Sequence, residues 1–143
     1  MQAIKNLTTS GADFIALSAN TPHIVFDRLQ NISTVPLVSI VEATRNEAIR
    51  LNKHKLGLLG TIFTMTEDFF KKPFYNSNIE IITPTAEEME YIDLKISSEL
   101  EFGVIKEETL QGFQKIIKHM QQEDSIEAVI LGCTELPALR RSR

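Results

Sequence analysis

Tryptophan is absent, cysteine occurs once, and proline and glycine number only 5 and 6 in 143 residues. The single Cys133 can make no internal disulfide, which excludes a disulfide-stapled scaffold and points to a reducing, cytoplasmic location. No apolar run approaches the ~20 residues of a membrane span, and the first residues lack the apolar stretch of a signal peptide. Basic residues are outnumbered 15 to 19, for a net charge of −4, and no basic stripe offers the footprint of a phosphate backbone. Nucleic acid and membrane are therefore not expected partners. The short basic clusters Lys53-His54-Lys55 and Arg140-Arg141 read as solvated helix ends. His23, His54 and His119 fall at no ligand spacing, and a lone cysteine supplies no zinc pattern, so no metal is expected. Glycine-rich nucleotide-binding loops are missing as well.

What the chain does have is 43% hydrophobic residues, enough for one domain of about 100–150 residues or two small lobes sharing a core. Short runs rich in Val, Ile, Leu and Phe recur at Asp13–Leu17, Pro36–Ile40, Leu56–Gly60, Ile79–Thr83 and Ala128–Gly132, and they read as buried strands. Longer segments with spacing near 3.6 alternate with them, including Glu87–Phe102 and Lys106–Gln122, with Gly103 breaking the two helices apart. Continuous apolar strands joined through helices predict an α/β fold whose parallel sheets are covered by helices. Glu87, Glu88, Glu107 and Glu108 fall early in predicted helices, where negative charge meets the dipole favourably. The seam between lobes is expected in the helix around Glu42–Asn52, dividing the chain into 1–45 and 46–143.

Ligands of an open parallel sheet bind beyond the carboxyl ends of its strands. Those positions carry Ser18-Ala19-Asn20-Thr21-Pro22-His23, Thr61-Ile62-Phe63-Thr64 and Cys133-Thr134-Glu135-Leu136-Pro137. Each has a purely structural reading. Thr21 before Pro22 suits an N-cap, Thr64-Met65-Thr66-Glu67 a capping box, and Cys133 a small core residue. Taken together, Ala16–Thr21 and Ile130–Thr134 look like repeats of one strand-to-helix turn, and two such turns facing across a cleft would hold a small anion between helix N-termini.

Asn20-Thr21-Pro22-His23, Leu58-Leu59-Gly60-Thr61-Ile62-Phe63-Thr64-Met65 and Leu131-Gly132-Cys133-Thr134-Glu135-Leu136 resemble, in order and spacing, the aspartate/glutamate racemases, which use no pyridoxal phosphate or other cofactor. The resemblance runs from about Gly11 to Leu136. It implies two similar α/β lobes with a cleft between them, in which thiols on opposite faces of the substrate α-carbon remove and return its proton. Cys133 matches the second-lobe cysteine, and Asn20, Thr21, Thr61, Thr64 and Thr134 match positions that hold the substrate carboxylate or amino group. Such chemistry calls for a thiol of lowered pKa at a helix N-terminus.

The match departs from the family pattern in two respects. Ala19 stands where many members place the first cysteine, and Ser18 beside it points to the other face of a strand. The opening strand-turn and the closing strand and helix of the family are also missing, so the lobes are expected to be incomplete and the chain to form a homo-oligomer through exposed sheet edges. The resemblance implies an amino-acid racemase-like isomerase acting on aspartate, glutamate or a similar small carboxylate. Two alternatives are a non-catalytic carboxylate-binding module and an enzyme of one-sided proton transfer. Lys95 is the nearest candidate cation for a second substrate carboxylate.

Overall fold

The computed structural model describes residues 2–140. Five parallel strands form two sheets. The first pairs β1 (Ile15–Ala16) with β2 (Leu37–Val38); the second has the order β4-β3-β5, with β3 (Lys55–Leu59) between β4 (Glu80–Ile82) and β5 (Ala128–Leu131). Leu56 sits beside Ile81 on one side and Ala128 on the other, and the register runs on to Leu59 opposite Leu131. All five strands predicted from apolar runs are present, each within two residues of its expected bounds.

Because side chains alternate along a strand, the buried run of β3 serves two cores. Leu56 and Leu58 point into a cluster with Val41, Ala48, Phe70, Phe74 and Ile130, whereas Leu59 joins Met65, Ile92, Ile96, Phe113, Ile116 and Met120 on the other face. Helix α3 (Ile40–Arg50) and the short α5 (Asp68–Lys71) cover the first face. The long α6 (Ala86–Ser98) and α7 (Glu107–Glu123), with α4 (Ile62–Thr66), cover the second. The two-stranded sheet is covered on one face only. There α1 (Gln2–Thr9) contributes Ile4 and α2 (Phe26–Ile32) contributes Phe26 and Leu29 against Ile15 and Leu37, while Phe14 stays 64% exposed.

Helix starts follow local chemistry. Ser39 caps α3 by accepting from the Glu42 N–H, and Thr85 and Glu88 form a reciprocal capping box at α6. Several expected boundaries move. The helix predicted over Glu87–Phe102 ends at Ser98, and a 3-10 turn spans Leu100–Phe102 before Gly103 takes a left-handed φ of 70°. The Lys53-His54-Lys55 cluster starts at the end of α3, where the Lys53 N–H donates to the Ala48 carbonyl at 2.9 Å, and runs on past it. It leads into β3, where Glu127 accepts from the His54 and Lys55 N–H groups and Lys55 pairs with Glu80 at 3.5 Å. Arg140 ends a 3-10 turn (Leu136–Arg140), and Arg141 lies outside the described residues. Helix α1 is an addition to the predicted elements, with Ile4 and Leu7 at i, i+3 spacing on one side. No helix among the described residues is long and apolar enough to cross a membrane.

Candidate functional site

The turns after β1, β3 and β5 converge on one cleft of about 140 Å³, lined by Ala19, Asn20, Thr21, Thr61, Thr64, Gly132, Cys133 and Thr134. The six polar residues singled out above therefore come together at the carboxyl ends of three strands, although β1 belongs to a different sheet. Larger hollows elsewhere, one of about 640 Å³ beside Lys55 and Tyr75, hold none of these residues. Ser18 does not line the cleft.

The two sheets are tied here by Asn20. Its side chain is 9% exposed, and Nδ2 donates to the Gly132 carbonyl at 2.7 Å, across 112 residues of sequence. That bond fixes the amide orientation and leaves Oδ1 buried with no hydrogen-bond partner among the described residues. An unmatched buried acceptor costs free energy unless a donor is brought to it, and in this cleft that donor can come from a ligand.

On the β3 side, Thr61 rather than Thr64 is the N-cap. Its Oγ1 accepts from the Thr64 N–H, and the two hydroxyls lie 3.2 Å apart. Thr64 thus sits inside α4, 1% exposed, and the expected capping box beginning at Thr64 does not form. Asp93, reaching from α6, accepts from the Ile62 N–H at 2.8 Å and so anchors the start of α4. Thr21 is likewise no cap. Asn20 occupies that position before the 3-10 turn Thr21–Val25, without a side-chain capping bond.

Cys133 follows β5, and within the described residues the next element is the 3-10 turn Leu136–Arg140, which starts three residues further on. Burial, and the hydrogen bond that its thiol donates to Glu135 Oε2 at 2.7 Å, push it up to about 11. The expected low-pKa thiol is thereby overturned: in the resting cleft the sulfur is a proton donor. Glu135 also accepts from the Thr134 hydroxyl at 2.8 Å, and these two bonds, the thiol's first, hold its carboxyl below the ordinary carboxylate range. Of the two strand-to-helix turns, the first leads into the 3-10 segment Thr21–Val25, which runs straight on into α2, and the second into the 3-10 turn Leu136–Arg140. Lys95 is engaged by Glu99 at 2.6 Å and does not line the cleft.

Sequence reasoning did not single out Glu135 or Asp93. Glu135 stands two residues after the cysteine, close enough to have drawn attention. Asp93 is 31 residues from its partner Ile62, and nothing in the local pattern signals that bond. Among the described residues, no group of three or more His, Cys, Asp or Glu side chains is placed to hold a metal.

The structure thus defines an α/β protein with parallel sheets, in which polar groups from three strand ends surround one small cleft. A family model described as Asp/Glu/Hydantoin racemase matches residues 1–143, and the chain belongs to that family. An aspartate racemase homologue from Pyrococcus horikoshii superposes with a TM-score of 0.89 and 41% identity, over 96% of this chain and 60% of that one. The glutamate racemase of Corynebacterium kroppenstedtii is 23% identical over 136 residues, 94% of this chain and 46% of the relative. The broad specificity amino-acid racemase of Bacillus subtilis is 36% identical over 76 residues, 53% of this chain and 33% of the relative. The chain spans about half the length of the glutamate racemase it matches.

Proposed function

We propose that the cleft carries out α-proton transfer on aspartate, glutamate or a similar small carboxylate amino acid, with Cys133 as the acid/base thiol and no pyridoxal phosphate. The observation that supports this reading is the meeting of Asn20, Thr61, Thr64, Cys133 and Thr134 around one cavity in a chain of this family. The unpaired Asn20 Oδ1 accepts from the substrate α-ammonium. The Thr21 hydroxyl, and whichever of the Thr61 and Thr64 hydroxyls does not donate to the other, donate to the α-carboxylate, where negative charge grows as the α-proton leaves, and Thr134 joins them when its hydroxyl turns from Glu135 to the substrate. Lobes 1–45 and 46–143 close on the substrate from either side, in a homo-oligomer of cytoplasmic location.

Each proton has a stated origin and destination. The Cys133 proton moves to Glu135, breaking S–H and forming O–H. The thiolate then takes the α-proton, and the electron pair of the C–H bond delocalises into the α-carboxylate. Return of the proton from sulfur to carbon, and from Glu135 to sulfur, closes the cycle. A resting thiol near 11 beside a carboxylate below its ordinary value makes the first transfer uphill, so turnover at neutral pH is slow. Across the cleft Ala19 has no proton to give, and exchange on one face outpaces inversion.

The test is incubation with L- and D-amino acids in deuterated water, scoring α-proton exchange separately from inversion. Exchange exceeding inversion is the expected result. Cys133→Ser should abolish exchange, since a serine hydroxyl is too weak an acid to form its conjugate base here, and Ala19→Cys should raise inversion. Full exchange surviving in Cys133→Ser would remove the proposal. The raised thiol and Ala19 also favour a second reading, a carboxylate-binding module without turnover, which predicts ligand binding with no exchange at all.

A further inference from the structure

His23 takes no part in the chemistry above, yet it is 6% exposed and lies three residues beyond Asn20. Its two ring nitrogens are engaged in opposite senses. The Ile40 N–H, in the first turn of α3, donates to Nε2 at 3.2 Å. A backbone N–H only donates, so Nε2 carries the lone pair and the ring proton belongs to Nδ1. That proton is shared between the Ala19 carbonyl at 3.0 Å and the Asn20 carbonyl at 3.1 Å. The ring is further held by stacking on Phe26, with centroids 5.4 Å apart and planes within 4°. A neutral imidazole of one tautomer therefore joins the turn after β1 to the start of α3. Within that turn, Ala19 and Asn20 form one wall of the cleft.

We propose that His23 is the positioning residue of this cleft: its neutral, Nδ1-protonated ring clamps the Ala19–Asn20 backbone and thereby aims the Asn20 amide. Asn20 reaches Gly132 across the gap between the sheets with a single hydrogen bond, and the His23 ring takes both backbone carbonyls of the turn that carries this amide. Neutrality matters because a second ring proton on Nε2 would face the Ile40 N–H and break the clamp. The consequence for ligand binding rests on the reading of the cleft as a substrate site; the clamp on Asn20 does not.

Two measurements separate those claims. Long-range proton–nitrogen spectra of histidine-labelled protein at neutral pH should show His23 protonated at Nδ1 alone, and a proton on Nε2 would overturn the assignment. His23→Leu removes donor and acceptor, whereas His23→Asn restores an amide donor close to the Nδ1 position. With folding of each checked by thermal melt, the Asn20 side-chain amide proton donated to Gly132 should lose its exchange protection in His23→Leu and keep most of it in His23→Asn. Unchanged protection in folded His23→Leu overturns the proposal whatever the fate of the activity. Should His23→Leu fail to fold, the comparison of His23→Asn with His23→Gln, which offers an amide near Nε2 instead, decides: equal protection in both overturns the clamp, and protection in His23→Asn alone supports it. For aspartate or glutamate exchange, loss of the clamp should raise KM by about tenfold, the worth of one to two hydrogen bonds, with a smaller change in kcat. Absence of exchange in the parent protein counts against the proposed function and leaves the amide result standing.

Discussion

At Cys133 two neighbours act in the same direction. Burial disfavours the thiolate, and Glu135 holds the proton on sulfur by accepting its hydrogen bond. Alkylation by iodoacetamide should therefore be slow at neutral pH and rise along a curve centred near 11. Glu135→Gln should move that curve downward, because it removes the negative charge, yet leave it above an unstructured thiol, because burial is the larger cause. An unchanged profile in Glu135→Gln would mean that the carboxylate does not control the sulfur. The thiol's identity as the residue to watch was legible from the Gly132-Cys133-Thr134 segment. Its protonation was not, since burial and the Glu135 carboxylate come to bear on the sulfur only once the chain is folded.

Elements meet closely where β3 and β5 end. A methyl group added at Gly132 would stand 2.9 Å from the Leu59 carbonyl and from Leu58 Cδ1, and backbone cannot yield as a flexible side-chain tip can. Gly132→Ala should cost about 1–3 kcal/mol in chemical denaturation by overpacking. It should also disturb the Gly132 carbonyl that Asn20 uses, so ligand binding falls with stability. A second junction lies between α6 and α7. There Glu99, 5% exposed, accepts from Lys95 at 2.6 Å, from the Thr109 hydroxyl and from Lys106 at 3.1 Å. Lys95 first, then Thr109 and Lys106, lower its pKa to about 2. A carboxyl lowered in the folded state binds its proton more readily when unfolded. Its stabilising contribution is complete above the ordinary carboxylate value near ~4.3 and disappears as pH falls toward 2. Thermal melts taken across that window should fall more steeply for the parent protein than for Glu99→Gln, and parallel curves would refute the role of this pair of junction lysines.

For the molecule as a whole, the two sheets are unequal in protection. The three-stranded sheet has a core on each face, whereas the two-stranded sheet has open edges, with Val38 on β2 45% exposed and Phe14, just before β1, 64% exposed. Exposed apolar residues on an unpaired edge favour pairing with another chain. We expect a concentration-dependent homo-oligomer in sedimentation, weakened by Phe14→Lys with little change in the melting of the larger sheet. A monomer at every concentration would refute it.

Strand positions and the parallel α/β class were set by the chain locally. A run of four or five apolar residues such as Leu56–Leu59 or Ala128–Leu131 has no stable solution except burial on both faces, and the polar residue after each run marks the carboxyl end. The residues of the cleft could be named for that reason, strand by strand. Tertiary structure alone decided how they work on one another. Asn20 finds Gly132 across 112 residues, Asp93 finds Ile62 across 31, and Ile40 fixes the tautomer of His23 across 17. A hydrogen bond between distant backbone and side-chain atoms leaves no periodic trace in the chain, and a pKa depends on burial and neighbours that exist only after folding.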